Sequence, residues 1–182
     1  LALASLDYVR RDLPSPAGGF FSAEDADSVP PEHAHEPRPH KMEGAFYIWR
    51  DDEIQEVLGD DAAVFRARFG IRPDGNAPND PQGEFTEKNL LFTARSLDDV
   101  SSITGRPVEG VMDALKRARP LLMARRGSRP RPHLDDKVLT AWNGLMIRAF
   151  AAGYRVLGDA RYRAAAERAA DFVLTTLQQD GR

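Results

Sequence analysis

Apolar residues recur along this chain at helical spacing far more often than they alternate. Leu1, Ala4, Leu6, Val9 and Leu13 predict a first helix, which Pro14, Pro16 and the Gly18-Gly19 pair bring to an end. Two aromatic-rich pieces, 19–23 and 45–49, read as short strands and predict a small β-hairpin insertion near the N-terminus. The Pro- and His-bearing stretch 28–41 between them reads as loop. Ile54, Val57 and Leu58 share one face of a short helix that Asp51 or Asp52 can cap. A second short helix spans 61–69 and stops at Gly70, and 71–84 reads as loop. Leu97, Val100 and Ile103 mark a third helix. Val108, Val111, Leu115, Ala118 and Leu122 mark a longer one, which Pro120 should kink or break. Residues 125–132 read as a basic, Pro-rich connector.

The last quarter has the clearest pattern. With about 100° of turn per residue, Val138, Ala141, Trp142, Leu145, Met146, Ala149 and Gly153 fill one side of a helix over 136–157. Leu139, Ile147, Phe150 and Ala151 fill much of the other side. A helix apolar nearly all round is expected to be buried, with Trp142 as packing. The next helix, 161–178, carries Tyr162, Ala165, Ala166, Ala169, Phe172, Val173 and Leu177 on one face, with Arg163, Glu167, Arg168, Asp171 and Gln178 opposite. Gly158-Asp159 turns between the two. A buried helix hairpinned to an amphipathic one is the unit of a two-layered helical assembly, either a toroid of hairpins or an α-solenoid.

Composition narrows the function classes. Hydrophobic residues at 42% and charged residues at 29% can build a core and exclude wholesale disorder. A net charge of −3 argues against nucleic acid as partner, and no apolar run is long enough for a membrane helix. With no cysteine there is no disulfide, thiolate metal site or thiol redox step. The expectation is a cytoplasmic chain without membrane or nucleic-acid contacts. Its start at Leu1 and its stop just after a helical segment lead us to expect a fragment of a longer protein.

Candidate chemistry lies in two places. Glu24, Asp25 and Asp27 crowd together after an apolar strand, as acid/base groups, hard-cation ligands or simply a solvated acidic turn. Asp135 and Asp136 precede the apolar helix, where they can cap it. Asn143 and Gly144 inside that helix are poor helix formers, which points to a functional site or close backbone packing. Asp136, Thr140 and Asn143 line up as a polar stripe. The basic run Lys116, Arg117, Arg119, Arg125, Arg126, Arg129 and Arg131 could receive an anion or be a solvated face. His33, His35 and His40 share a loop that reads as a variable insertion more readily than as a zinc site. No metal or cofactor is expected.

The strings GGFFSAEDADS (18–28), EGAFYIW (43–49), GEFTEKNLL (83–91) and RPHLDDKVLTAWNGLMIRAFA (131–151) resemble the spermatogenesis-associated-protein-20-like family, also described as thioredoxin-domain-containing (YyaL-like) proteins. One position departs from the resemblance: Glu87 stands where a Gly is expected before Lys88-Asn89. The resemblance implies a thioredoxin-like domain followed by a six-hairpin (α/α) toroid, similar to those of glycosidases and N-acylglucosamine 2-epimerases. The fold expected here is therefore mainly α: residues 1–182 as a fragment of a single (α/α)6 toroid domain, with the thioredoxin-like domain and later hairpins outside this chain.

It further implies a carbohydrate-active region, a sugar epimerase or isomerase or a glycoside hydrolase working by carboxylate acid/base chemistry. Asp27 and Asp136, with Asp25 and Glu24, are the catalytic candidates. Asp135, Lys137, Asn143, His133, Lys88 and Asn89 are the candidate substrate contacts. The alternative is a non-catalytic scaffold that presents substrate to a thioredoxin-like redox domain of the same parent chain.

Overall fold

The computed structural model describes residues 2–77 and 85–178. Part of the expected 71–84 loop, and Gly83 and Glu84 of the third motif, lie outside the described residues. Seven α-helices dominate those residues: α1 (Ala2–Asp12), α2 (Asp51–Leu58), α3 (Ala62–Phe69), α4 (Leu97–Thr104), α5 (Val108–Gly127), α6 (Thr140–Leu157) and α7 (Ala160–Phe172). The chain is mainly α. No described helix is long and apolar enough to cross a membrane.

Short α-helices start and stop where local chemistry says they should. α4 opens on a reciprocal cap in which Ser96 and Asp99 satisfy each other's backbone N–H, and it closes on Gly105 at φ 68°. α3 closes on Gly70 at φ 66° in the same left-handed way. Two expectations fail. α2 has Arg50, not an Asp, at its N-cap, because Asp51 already lies inside the helix and binds Arg66 at 2.5 Å. α5 runs unbroken through Pro120 and takes in the first three residues of the expected connector. Pro120 and Lys116 are both exposed, so the carbonyl that the proline leaves without its N–H faces water.

The strands are two-residue ladders: β1 (Ala23–Glu24), β2 (Asp27–Ser28), β3 (Met42–Glu43), β4 (Trp49–Arg50), β5 (Lys88–Asn89) and β6 (Leu134–Asp135). All pair antiparallel, β1 with β6, β2 with β3 and β4 with β5. The two aromatic pieces do not pair with each other. In the first, Phe20 makes a lone bridge to Pro14 and only Ala23 enters a strand; in the second, residues 45–47 turn and only Trp49 enters a strand. The hairpin near the N-terminus is instead β2–β3, closed by the Pro-rich stretch.

The chain divides into two compact units, one from Leu1–Asp25 and His133–Arg182, the other Ala26–Pro132. In the discontinuous unit, α7 buries Tyr162, Ala165, Ala166, Ala169 and Phe172, and the alanines among them let α6 pack closely. Phe20 stacks on Phe150 at 5.2 Å between ring centroids, with Val9 and Leu13 of the α1 region beside them. α6 itself buries only Asn143 and Phe150. Trp142, expected in the core, is 54% exposed, and Leu145 and Val156 are 66% and 76% exposed. The α6 sequence is apolar all round, but its own unit covers one side only. The contiguous unit has two apolar clusters, one around Trp49, Ile54, Phe65 and Leu122 and one around Val64, Val100 and Val111.

Candidate functional site

β1 and β6 form a ribbon whose register fixes which side chains share a face. Ala23 lies opposite Asp135 and Glu24 opposite Leu134, and the Asp25 N–H continues the ladder to His133 O at 2.7 Å. Directly opposite residues project to the same side and neighbours alternate. Asp25, His133 and Asp135 therefore share one face. Glu24 and Leu134 take the other, where Tyr8 Oη donates to Glu24 Oε2 at 2.7 Å and Leu134 packs on the core. Lys137 Nζ lies 3.0 Å from Asp135 and holds its carboxyl below the ordinary carboxylate value. An acid kept ionised in this way suits a base or a charge stabiliser, not a proton donor.

Asp135 and Asp136 do not cap α6. The backbone stays extended to Leu139, which is the N-cap and brings no side-chain oxygen, so both carboxylates stand several residues before the helix. The polar stripe dissolves for the same reason: Asp136 precedes the helix and Asn143 is buried. The Asn143 amide accepts from Phe20 N–H at 2.7 Å and donates to Phe20 O at 3.0 Å and Leu139 O at 3.1 Å. It ties the start of α6 to the Gly-Gly-Phe segment ahead of the ribbon. A Cβ on Gly19 would meet Phe172 Cδ1 at 2.8 Å and Asn143 Oδ1 at 3.2 Å, so only glycine fits there. A Cβ on Gly144 would meet nothing within 4 Å; close packing does not explain that glycine.

The remaining candidates lie in the contiguous unit. Asp27 on β2 stands directly opposite Glu43 on β3, which places two carboxylates side by side on one face. Glu43 opens the EGAFYIW string but is not among the residues the sequence singles out. Its partnership depends on a register that no local spacing encodes. Asn89 is fully buried: Nδ2 donates to Trp49 O at 3.2 Å and Arg72 O at 3.0 Å, and Oδ1 accepts from Arg72 N–H at 2.8 Å. Lys88 is different. Its Nζ lies 3.3 Å from Glu32 Oε1 and it lines a cavity.

Glu87 explains the one departure from the family strings. It sits at φ 58°, the left-handed region that glycine enters freely and a β-carbon resists.

Arg129 is a second residue whose role the sequence conceals. Within the basic run it looks solvated, yet its side chain is 4% exposed. It donates to Phe46 O at 2.9 Å, Ile48 O at 2.7 Å and Glu53 Oε2 at 2.7 Å, and its guanidinium lies over Trp49 at 4.1 Å. Burial pulls its pKa below the usual arginine value, and Glu53 opposes that pull. Arg117 binds Asp61, and Arg125 binds Glu53 and Glu56, so these members of the run are already paired. His33 binds Glu36 at 2.6 Å. Among the described residues no three His, Asp or Glu side chains converge as metal ligands.

No family model matches the chain. It is 38% identical over 173 residues to spermatogenesis-associated protein 20 of Homo sapiens, an alignment covering 88% of this chain and 21% of that protein. The Mus musculus protein of the same name is 36% identical over 185 residues, covering 95% of this chain and 23% of that one. An uncharacterised Caenorhabditis elegans protein is 33% identical over 173 residues, covering 90% and 23%. The chain thus spans about a fifth of the length of the curated relatives it matches. With that identity sustained across nearly all of its own residues, the chain belongs to the spermatogenesis-associated-protein-20-like family.

Proposed function

We propose that this chain is part of an (α/α) toroid domain that acts on carbohydrate through paired carboxylates. The observation that carries the reading is Asp27 opposite Glu43. Directly opposed residues hold their Cβ atoms about 4.5–5.5 Å apart. Two carboxyls so placed can divide the work of glycoside cleavage, one protonating the leaving oxygen while the other attacks or activates water. In the discontinuous unit, taken by itself, the ribbon face of Asp25, His133 and Asp135 with Lys137 offers sugar hydroxyls acceptors and donors of its own, and Asp136 follows in the chain. If the reaction is an epimerisation, His133 between two aspartates is the residue suited to remove a proton beside a carbonyl. Asn143 and Asn89 act by positioning backbone.

The test is to incubate the whole protein in D₂O with a panel of mono- and disaccharides and follow the sugars by NMR, with Asp27→Asn and Glu43→Gln alongside. Expected is a new anomer, or deuterium beside the carbonyl, lost in both variants while their melting stays cooperative. Turnover untouched by both substitutions would remove this pair from the chemistry.

A second reading is a scaffold serving a thioredoxin-like domain of the same parent chain. The commitment of the Asn143 and Asn89 amides to their own backbone favours it. Silence from every sugar, with folding lost in Asp27→Asn, is its signature.

A further inference from the structure

A cavity of about 320 Å³ opens in the contiguous unit. One part of its wall is apolar, from Pro30, Pro31, Ala45, Ile48 and Trp49. The rest is charged, with four acids, Glu32, Asp52, Glu53 and Glu56, set against four cations, Arg50, Lys88, Arg125 and Arg129. These charges are matched in space as well as in number. Arg129 binds Glu53 at 2.7 Å, Arg125 binds Glu53 and Glu56 at 3.0 Å, Arg50 binds Asp52 at 3.1 Å and Lys88 meets Glu32 at 3.3 Å.

That matching selects the ligand class. An anion drawn to Lys88 or Arg125 must compete with a carboxylate already in place, and a cation drawn to Glu56 must compete with an arginine. A neutral molecule with several hydroxyls meets neither penalty: each hydroxyl can accept from an ammonium or guanidinium and donate to a carboxylate without breaking a pair. The apolar wall suits the C–H face of a sugar ring. The volume falls at the small end of ligand sites, enough for one ring. Arg129, which also lines this wall, has a buried Nε–H without a partner among the described residues. We propose that this cavity binds a neutral, monosaccharide-sized polyol. The proposal concerns binding alone, so it stands or falls independently of turnover at the carboxylate pair.

Saturation-transfer NMR on the full chain tests it, with D-glucose, D-galactose and N-acetyl-D-glucosamine as probes and glucose 6-phosphate and glucosamine as charged controls. Neutral sugars should bind at least tenfold more tightly than either control. Lys88→Met should weaken the neutral sugar about tenfold, the share expected of one hydrogen bond to a charged group. Ala45→Leu should abolish binding by filling the cavity. Should Ala45→Leu not melt cooperatively, Glu56→Gln replaces it, a rim substitution expected to weaken binding severalfold. No binding by any neutral sugar overturns the proposal, as do charged sugars binding equally well. So does affinity indifferent to Lys88→Met and to the folded member of the second pair.

Discussion

The two units keep themselves together by opposite means. The contiguous unit, Ala26–Pro132, is rich in loops and buries Ser28, Asn89 and Arg129 to satisfy backbone groups that no ladder or helix reaches. Around them runs a network of ion pairs, with Asp61 alone taking Arg106 at 2.7 Å and Arg117 at 2.9 Å. The discontinuous unit needs less of this, because α1, α6 and α7 satisfy most of their own backbone. Its core is aromatic and small aliphatic, and its main polar tie is the Asn143 amide. Irregular backbone demands buried polar side chains, whereas helices free the interior for apolar packing and can leave apolar surface outside as well.

Arg129→Met strikes the polar unit hardest. It strands the Phe46 and Ile48 carbonyls and leaves Glu53 with Arg125 alone, and should cost about 3–5 kcal/mol in urea denaturation followed by Trp49 fluorescence. Asn143→Leu should cost about 2–3 kcal/mol, since it leaves the Phe20 N–H and C=O buried without partners. If the order of these two losses reversed, the contrast between the units would collapse. Glu87→Gly should raise stability by about 1 kcal/mol: relief of the left-handed conformation outweighs the loss of an exposed contact with Arg50.

Acid should loosen α7 more gently. Asp159 caps it, and hydrogen bonds from Arg161 hold the Asp159 carboxyl at about 2 against an ordinary 3.8. A lowered carboxyl pKa stabilises the fold above the ordinary value, so this contribution should fade as pH falls from about 4 to about 2. Helix ellipticity over that range should fall less steeply in Asp159→Asn. Smallest of all, Trp142→Gln with Leu145→Gln should leave stability within about 0.5 kcal/mol, because both side chains are already wet. The same double variant should sediment as a smaller species than the parent at high concentration, if the bare side of α6 drives association.

Elements whose determinants are local could be read from the sequence. α3 and α4 ended at Gly70 and Gly105 because a left-handed glycine stops a helix wherever it occurs. α5 was misread at Pro120 because the pattern does not reveal that the freed carbonyl points to water. The strands lie elsewhere than the aromatic pattern suggests, since each ladder is two residues long and β1–β6 and β4–β5 draw their partners from far along the chain. Asn143 announced itself as a residue out of place in a helix, but its purpose lies in Phe20, 123 residues away. Glu43 escaped notice for want of a register, and Arg129 because a basic run hides which member turns inward.

The splitting of one unit around the other also sets a timetable. Asp7 in α1 accepts a hydrogen bond from Tyr162 of α7, 155 residues later. At a synthesis rate of about 5–20 residues per second, α1 waits roughly 8–30 s after its own appearance for that partner. The unit Ala26–Pro132 is complete before β6 is made, and so can fold while the first helix is still idle. During that interval the apolar face of α1 has Phe20 but lacks its α6 and α7 neighbours, and a ribosome-associated chaperone would find a substrate there.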